Sequence, residues 1–347
     1  MFGTRLSVRN GLEQKFPRVR GNYGGPGLRD AVRRVFGNRI LGILSRGNGE
    51  IESTHHNDPP KSSGVPAPTL RPVNRADMDR ICDFLHRHWP RIDARAWRNL
   101  FDYAWLEDKP NLGFVLTVDD EIVGFQGTVY AHRRIGDKSG LVCNPTAWCV
   151  LPEYRGWSVA LAMAALRDQS ISYRNPTSAP EMVRFFERLR FTRLDVQRIA
   201  MPPLLHAETL FARGARFVFD PLEIRTLLDD DQRRIFDDHA SYDCLQLALV
   251  DGHEASHFVV KRRTMRRLPV SELFYCSAPG LFVRHLERVK LAILRRQRTL
   301  ALVAEAPLLR PHRPRGLSIP RVVLVRSPIF DAEEIDNLYS ELVLLPI

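Results

Sequence analysis

The chain has 347 residues, 44% of them hydrophobic and 26% charged, with a formal net charge of +11. That length buries a core of ordinary size and accommodates two domains or one elaborated domain. No apolar run approaches the roughly 18 residues of a membrane helix, and Met1 to Arg20 lacks the apolar stretch of a secretory signal.

The five cysteines, Cys82, Cys143, Cys149, Cys244 and Cys276, are odd in number and scattered. They read as reduced thiols of a cytoplasmic protein. There is no C-x-x-C pair and no H-E-x-x-H, and His86 and His88 stand two apart, which on a helix separates them, so no metal site is expected. The charge is uneven: +6 falls in residues 1–66 and +5 in the remainder. The bulk of the chain is thus only mildly basic, enough to attract a polyanion. No aromatic-basic motif or zinc module points to nucleic acid.

Residues 1–66 read as a basic, flexible tail. Gly21 to Gly27 and Asp58 to Pro68 are rich in Gly and Pro and disfavour a core. Between them, Leu28 to Arg46 has the pattern of a short basic amphipathic helix, suited to peripheral contact with an anionic membrane surface or a partner. Gly37 and Gly42 interrupt its apolar side, and the favoured reading is an extension with no part in chemistry. Glu13 and Asp30 count against an organelle transit peptide.

A strand is expected over Thr69 to Val73. Asn74 or Asp77 then caps a helix carrying Met78, Ile81, Phe84 and Leu85 on one face. Gly113 to Val118 and Ile122 to Tyr130 form a hairpin across the acidic turn Asp119-Asp120-Glu121. A further strand, Pro145 to Leu151, runs into Pro152-Glu153-Tyr154-Arg155-Gly156-Trp157. A helix begins at Ser158 and buries Val159, Ala162, Met163 and Leu166. A strand turning into a helix start leaves backbone N–H groups without internal partners, with the positive end of the helix dipole behind them. Such a turn suits a phosphate or pyrophosphate. Gly156 is read as permitting the tight turn, and Ala160 as keeping the first helical turn uncluttered. A short strand near Ile171 to Tyr173, the turn from Asn175 to Pro180, and a helix with Met182, Val183, Phe185, Phe186 and Leu189 follow.

The second half repeats this order more faintly. Cys244 to Val250 and Ala255 to Val260 flank the turn Asp251-Gly252-His253-Glu254. A strand over Val270 to Cys276, a helix over Leu281 to Arg296 and a strand over Thr299 to Ala304 come next. The matching strand-to-helix turn is Ser277-Ala278-Pro279-Gly280, without the Arg and small-residue spacing. The basic run Lys261 to Arg267 reads as the crown of a solvated turn.

The stretch Val150 to Ala160 resembles the acyl-CoA-binding loop of the GNAT superfamily of N-acetyltransferases: Gln or Arg, two residues, Gly, one residue, then Gly or Ala, often after Pro-Glu-Tyr. Arg155 and Ala160 match, and Ser158 stands where glycine is usual. Ala179 to Phe191 is similar to the later segment of that family, commonly ending Phe-Tyr-Glu-Lys-Leu-Gly-Phe, with Phe186 at the tyrosine and Arg190 at the glycine. The resemblance covers about residues 67–195. It implies an α+β (α/β mixed) fold, with a GNAT-like mixed central sheet flanked by helices over 67–199. Residues 200–347 would form a second, degenerate GNAT-like domain, or a substrate or dimerisation domain.

The same resemblance implies an acyl-CoA-dependent acyltransferase, an N-acetyltransferase in the favoured form. It would use acetyl-CoA or another acyl-CoA, without a metal, to acylate a small-molecule or peptide amine. The backbone of Cys149, Val150 or Leu151 would supply the oxyanion N–H. Arg155, Gly156, Trp157, Ser158, Val159 and Ala160 would hold the pyrophosphate, and Asn175 the pantetheine. Glu153 is a candidate base, and Tyr173 a candidate acid in place of the missing tyrosine. The alternative is a non-catalytic acyl-CoA- or ligand-binding protein on the same fold.

Overall fold

The computed structural model describes residues 66–203, 214–312 and 314–347. The basic tail, with the helix expected over Leu28 to Arg46, lies outside the described residues.

Strand β1 (Thr69–Pro72) leads into helix α1 (Met78–His88). Arg71 forks onto Asp77, with contacts of 2.6 and 2.9 Å, and Asp77 also accepts the Asn74 N–H at 2.8 Å. This bidentate pair fixes the strand-to-helix junction. The hydrogen bond from Arg71 outweighs burial and lowers the Asp77 pKa. Ile81, Phe84 and Leu85 of α1 are buried as their spacing predicts, each worth about 1.5–3 kcal/mol. His86 and His88 diverge, and each ring Nδ1 bonds a separate backbone carbonyl at 2.8 Å. The short helices α2 (Ala94–Trp97) and α3 (Asn99–Asp102) follow.

β2 (Phe114–Val118), β3 (Glu121–Ile135) and β4 (Lys138–Val150) form an antiparallel meander. Asp119 and Asp120 both take positive φ, which suits a two-residue hairpin turn. The second turn is as short, Gly136-Asp137, with Gly136 at φ +58°. For that reason β4 starts seven residues earlier than the expected Pro145. Then come α4 (Ser158–Ala165), β5 (Ser172–Asn175), α5 (Val183–Arg188) and β6 (Thr192–Met201).

The second half contains β7 (Arg216–Val218), α6 (Pro221–Leu227), α7 (Asp230–His239), β8 (Leu245–Asp251), β9 (Glu254–Met265) and β10 (Leu268–Cys276). The single helix expected over Leu281 to Arg296 is two, α8 (Pro279–Arg284) and α9 (Leu286–Gln297), broken at His285. There the His285 ring bonds Asp251 at 2.8 Å. β11 (Leu302–Glu305), β12 (Leu317–Arg326) and α10 (Glu341–Leu344) complete the described chain.

Among the described residues all twelve strands join one mixed sheet, in the order β1-β2-β3-β4-β5-β12-β6-β11-β10-β9-β8-β7. The order is palindromic about the β12–β6 contact. In each half a meander ends in a parallel pair across a helical crossover, β4 with β5 and β10 with β11. The halves exchange their last strands. β6, which follows β5 in sequence, pairs with β11, and β12, which follows β11, pairs with β5. β12 and β6 also pair with each other from Leu317↔Ala200 to Val325↔Thr192. The boundary read at 199/200 therefore falls inside β6.

After β12 the chain folds back over the sheet. Phe330 and Ile335 pack on Val323 and Val325, while Leu342 to Leu345 join the core that holds α1. α4 and α5 belong to other clusters, around Tyr130, Cys143 and Phe186 and around Leu116 and Leu161. All five cysteines are free. No helix among the described residues is long and apolar enough to cross a membrane.

Candidate functional site

β4 and β5 pair at only two positions, Val142↔Ser172 and Cys143↔Tyr173, and then part. The side chain of Asn144 bridges the first unpaired position, donating to the Arg174 carbonyl at 3.0 Å. Beyond it, β4 continues to Val150 paired only with β3. That pairing is interrupted by a bulge. Phe125 faces Cys149 and Gly127 faces Thr146, so Ala147 and Trp148 together oppose Gln126, and Ala147 takes φ +50°. The Gln126 amide donates to the Thr146 carbonyl at 2.8 Å and fills the gap.

Ladder parity then sorts the three expected oxyanion donors. Leu151 donates its N–H to the Val123 carbonyl at 2.9 Å, which removes it from that set. Hydrogen-bonded pairs alternate along an antiparallel ladder, so Cys149, opposite Phe125, also directs its N–H to β3. Val150, opposite Gly124, directs its N–H away from β3, toward the opening left by β5.

The turn after β4 is a tight helical turn, Pro152–Trp157, that runs directly into α4 at Ser158. Tyr154 donates to the Leu151 carbonyl at 3.0 Å and Ser158 to the Arg155 carbonyl. Some of the N–H groups expected to be open are therefore used internally, since a tight turn bonds three residues back where an abrupt helix start bonds none. Gly156 has no positive φ, so the turn does not require its freedom, and a Cβ there would meet nothing within 4 Å. Arg155 and Gly156 are exposed, Trp157, Ser158 and Ala160 half-buried, and Val159 buried. α4 packs on two sides, through Val159 and Ala162 and through Leu161 and Ala165.

The structure does not bring Tyr173 to the opening. It is 1% exposed, within the cluster of Phe186 and Phe191, with the Arg326 guanidinium 4.7 Å from its ring. Burial pushes its hydroxyl pKa well up. Glu153 is exposed on the turn. Asn175 is buried at the end of β5, and its side-chain oxygen accepts the Thr177 N–H at 3.2 Å, an Asx-turn.

A carboxylate not singled out in the sequence stands beside the opening instead. Glu341, in the returning segment, is 2% exposed. Its backbone N–H donates at 2.9 Å to Asn144, the side chain that bridges β4 and β5 where they part. Thr177, two residues past β5, donates its hydroxyl to Glu341 Oε1 at 2.5 Å, and Oε2 has no hydrogen-bond partner. Burial raises the Glu341 pKa to about 7, against the hydrogen bond from Thr177 and the charges of Arg321 and Arg263. No local pattern marks Glu341, since 197 residues separate it from Asn144. Among the described residues no group of three or more His, Cys, Asp or Glu is placed to hold a metal.

No family model matches the chain, and no curated protein matches it. Solved structures do. The GCN5-related glucosamine N-acetyltransferase region of a fungal multi-domain GH3 beta-N-acetylglucosaminidase is 12% identical with a TM-score of 0.51, covering 76% of this chain and 38% of that one. A GCN5-related N-acetyltransferase from Kribbella flavida is 12% identical with a TM-score of 0.49, covering 74% and 71%. The N-myristoyltransferase of Saccharomyces cerevisiae with bound myristoyl-CoA is 10% identical with a TM-score of 0.41, covering 92% and 99%. The chain has the fold of the GCN5-related N-acetyltransferases.

Proposed function

We propose that the protein is an acyl-CoA-dependent acyltransferase that moves an acyl group, acetyl in the simplest case, from a CoA thioester to a small-molecule or peptide amine. The observation that carries this reading is the opening between β4 and β5, with the Val150 N–H at its edge and the Pro152–Trp157 turn at its end. In this reading the pyrophosphate lies along Arg155 to Ala160, and the pantetheine runs along the open edge of β4 opposite Asn175. Glu341 takes the proton that the acceptor ammonium loses. A carboxylate with a pKa near 7 is matched to that task. The amine then attacks the thioester carbon, the Val150 N–H stabilises the oxyanion, and collapse breaks the C–S bond. The attacking nitrogen sheds its second proton as the amide forms, and water relays that proton to the leaving thiolate.

Residues 67–199 would carry the CoA loop and residues 200–347 complete the acceptor side. A second CoA loop is not expected at Ser277 to Gly280. There Ser277 donates its N–H to His257 at 3.0 Å and Ala278 to the Ser256 hydroxyl at 3.2 Å.

Two measurements test the reading. Acetyl-CoA, longer acyl-CoAs and free CoA should raise the melting midpoint, and an amine panel should release free thiol from the thioester. Failure of every acyl-CoA to bind would sink it. Binding without thiol release would select a non-catalytic acyl-CoA-binding protein. Phe186 favours that second reading: it is 3% exposed, packs edge-on to Phe191 at 5.1 Å, and has no proton to give.

A further inference from the structure

The basic run Lys261 to Arg267 is only half a solvated turn. Arg266 and Arg267 form the β9–β10 turn with positive φ and are exposed. Upstream the run is strand, and strand alternation sends successive residues to opposite faces. Arg262 and Thr264 are exposed, whereas Lys261 is 4% exposed and the Arg263 side chain 12%. Lys261 fastens the returning segment by donating to the carbonyls of Val343 and Leu345.

Arg263 joins a cluster built from four strands. Glu272 on β10 takes contacts from Arg198 on β6 at 3.1 Å and Arg321 on β12 at 2.9 Å, while Arg263 stands 3.6 Å away. Three guanidiniums thus surround one carboxylate. Burial pushes the Glu272 pKa up, and the three cations together more than reverse it. A guanidinium does not shed its charge in a protein, so the group carries two positive charges in excess. Of the neighbouring carboxylates, Glu305 is engaged by Arg174 and Asn337, while Glu341 takes the Thr177 hydroxyl on Oε1, leaves Oε2 without a partner, and acts on Arg263 by charge alone, without a hydrogen bond. Among the described residues, Arg198 Nε, Arg321 Nη1, and both Nε and Nη1 of Arg263 are buried without a hydrogen-bond partner. Burying uncompensated charge and unmade hydrogen bonds is unfavourable, and a cluster of this kind persists when something complements it.

We propose that Arg198, Arg263 and Arg321 form a binding site for an anionic oxygen group, carboxylate or phosphate, carried by the acyl acceptor. The four unpartnered nitrogens belong to guanidiniums, which pair with such a group in a planar, bidentate manner; Glu272 Oε2, itself without a hydrogen-bond partner, stands 3.6 Å from Arg263 Nη1 and satisfies none of them. Each side chain keeps 10–12% of its surface in contact with solvent, while the four donor nitrogens are buried, so an anion reaches them by displacing part of their cover. The assignment to the acceptor rests on the acyltransferase reading, because Arg321 and Arg263 lie close enough to Glu341 to act on its charge. An acceptor held there by its anion would bring its amine toward the group proposed to deprotonate it.

The test uses the full chain, acetate and inorganic phosphate as probes, and free CoA as an independent control. Arg263→Gln removes the residue that makes no hydrogen bond to Glu272. It should leave the melting midpoint in chloride unchanged or higher, because a like charge is relieved. Acetate or phosphate should stabilise wild-type protein saturably, against chloride at equal ionic strength and with CoA present at saturation. That effect should weaken by about tenfold or more in Arg263→Gln, as expected for loss of charge-assisted hydrogen bonds. Arg321→Gln is the second variant should Arg263→Gln fail to fold. No saturable anion effect, or equal effects in wild type and variants, overturns the site. Thiol release from acetyl-CoA with paired amines, an amino acid against its amide and phosphoethanolamine against ethanolamine, then separates carboxylate from phosphate. The variant should raise KM for the anionic member of the productive pair and leave kcat nearly unchanged. An anion effect lost in Arg263→Gln, in a chain that never binds CoA, would keep the site and refute the acyltransferase reading.

Discussion

Glu341→Gln probes the carboxyl on which the proposed chemistry depends. The side chain is 2% exposed, and its pKa rises from an ordinary 4.5 to about 7. A carboxyl with a raised folded-state pKa holds its proton more tightly in the native state than in the unfolded chain. Its contribution is therefore fully present below pH 4.5 and is lost as pH climbs through 7. At about 1.4 kcal/mol per pH unit, the interval corresponds to about 3 kcal/mol, most of it lost between pH 5 and pH 8. Glutamine keeps the shape and accepts the Thr177 hydrogen bond but does not titrate. Urea unfolding of both proteins across that range should show wild type losing stability relative to Glu341→Gln as pH rises. If the enzyme reading holds, acyl transfer by wild type should rise with pH through about 7, and that limb should vanish in the variant. A wild-type minus variant difference that stays flat from pH 5 to pH 8 would refute the argument that Glu341 is buried and protonated near neutrality.

Ala160→Glu places bulk and negative charge in the proposed pyrophosphate turn. Isothermal titration should show one CoA equivalent per chain in wild type and none in the folded variant, and a second equivalent surviving the substitution would refute the single site. Gly113→Ala should cost about 2–3 kcal/mol in urea unfolding. Gly113 has φ +111°, and an added Cβ would lie 2.4 Å from the Gln126 carbonyl oxygen; a change below about 0.5 kcal/mol would show that this turn relaxes freely. Deleting residues 1–65 should leave the melting midpoint and CoA affinity nearly unchanged, and a large loss of either would mean that the tail packs on the rest.

Much of the first half was legible because its signals are local. Four-residue spacing in α1, the paired aspartates of the β2–β3 turn, and the small residues that open α4 each mark a short stretch of backbone without reference to distant partners. The repeat in the second half was legible for the same reason, since alternating runs around Gly252 and an apolar helix face need only neighbours in sequence. The helix expected over Leu281 to Arg296 did not show its break at His285, because the contact made there is with Asp251 on another strand.

Residue pattern alone, then, sufficed for nine of the twelve strands, for α1, α4 and α5, and for the resemblance in the Val150 to Ala160 loop, but not for β6, β7 and β12 or for α2, α3, α6, α7 and α10. Pairing between distant strands lay beyond it. β12 docks on β5 and β6 on β11, and strand partners are chosen by backbone hydrogen bonds and face burial across more than a hundred residues. The same holds for the site. Strand alternation in Lys261-Arg262-Arg263 says that two cations share a face. Only the meeting of β6, β9, β10 and β12 places Arg198, Arg263 and Arg321 around Glu272. Glu341 and Asn144 are brought together by the fold-back of the last twenty residues over the sheet. Burial, which turns an ordinary carboxylate into one titrating near 7, is a property of that packing and not of any local sequence.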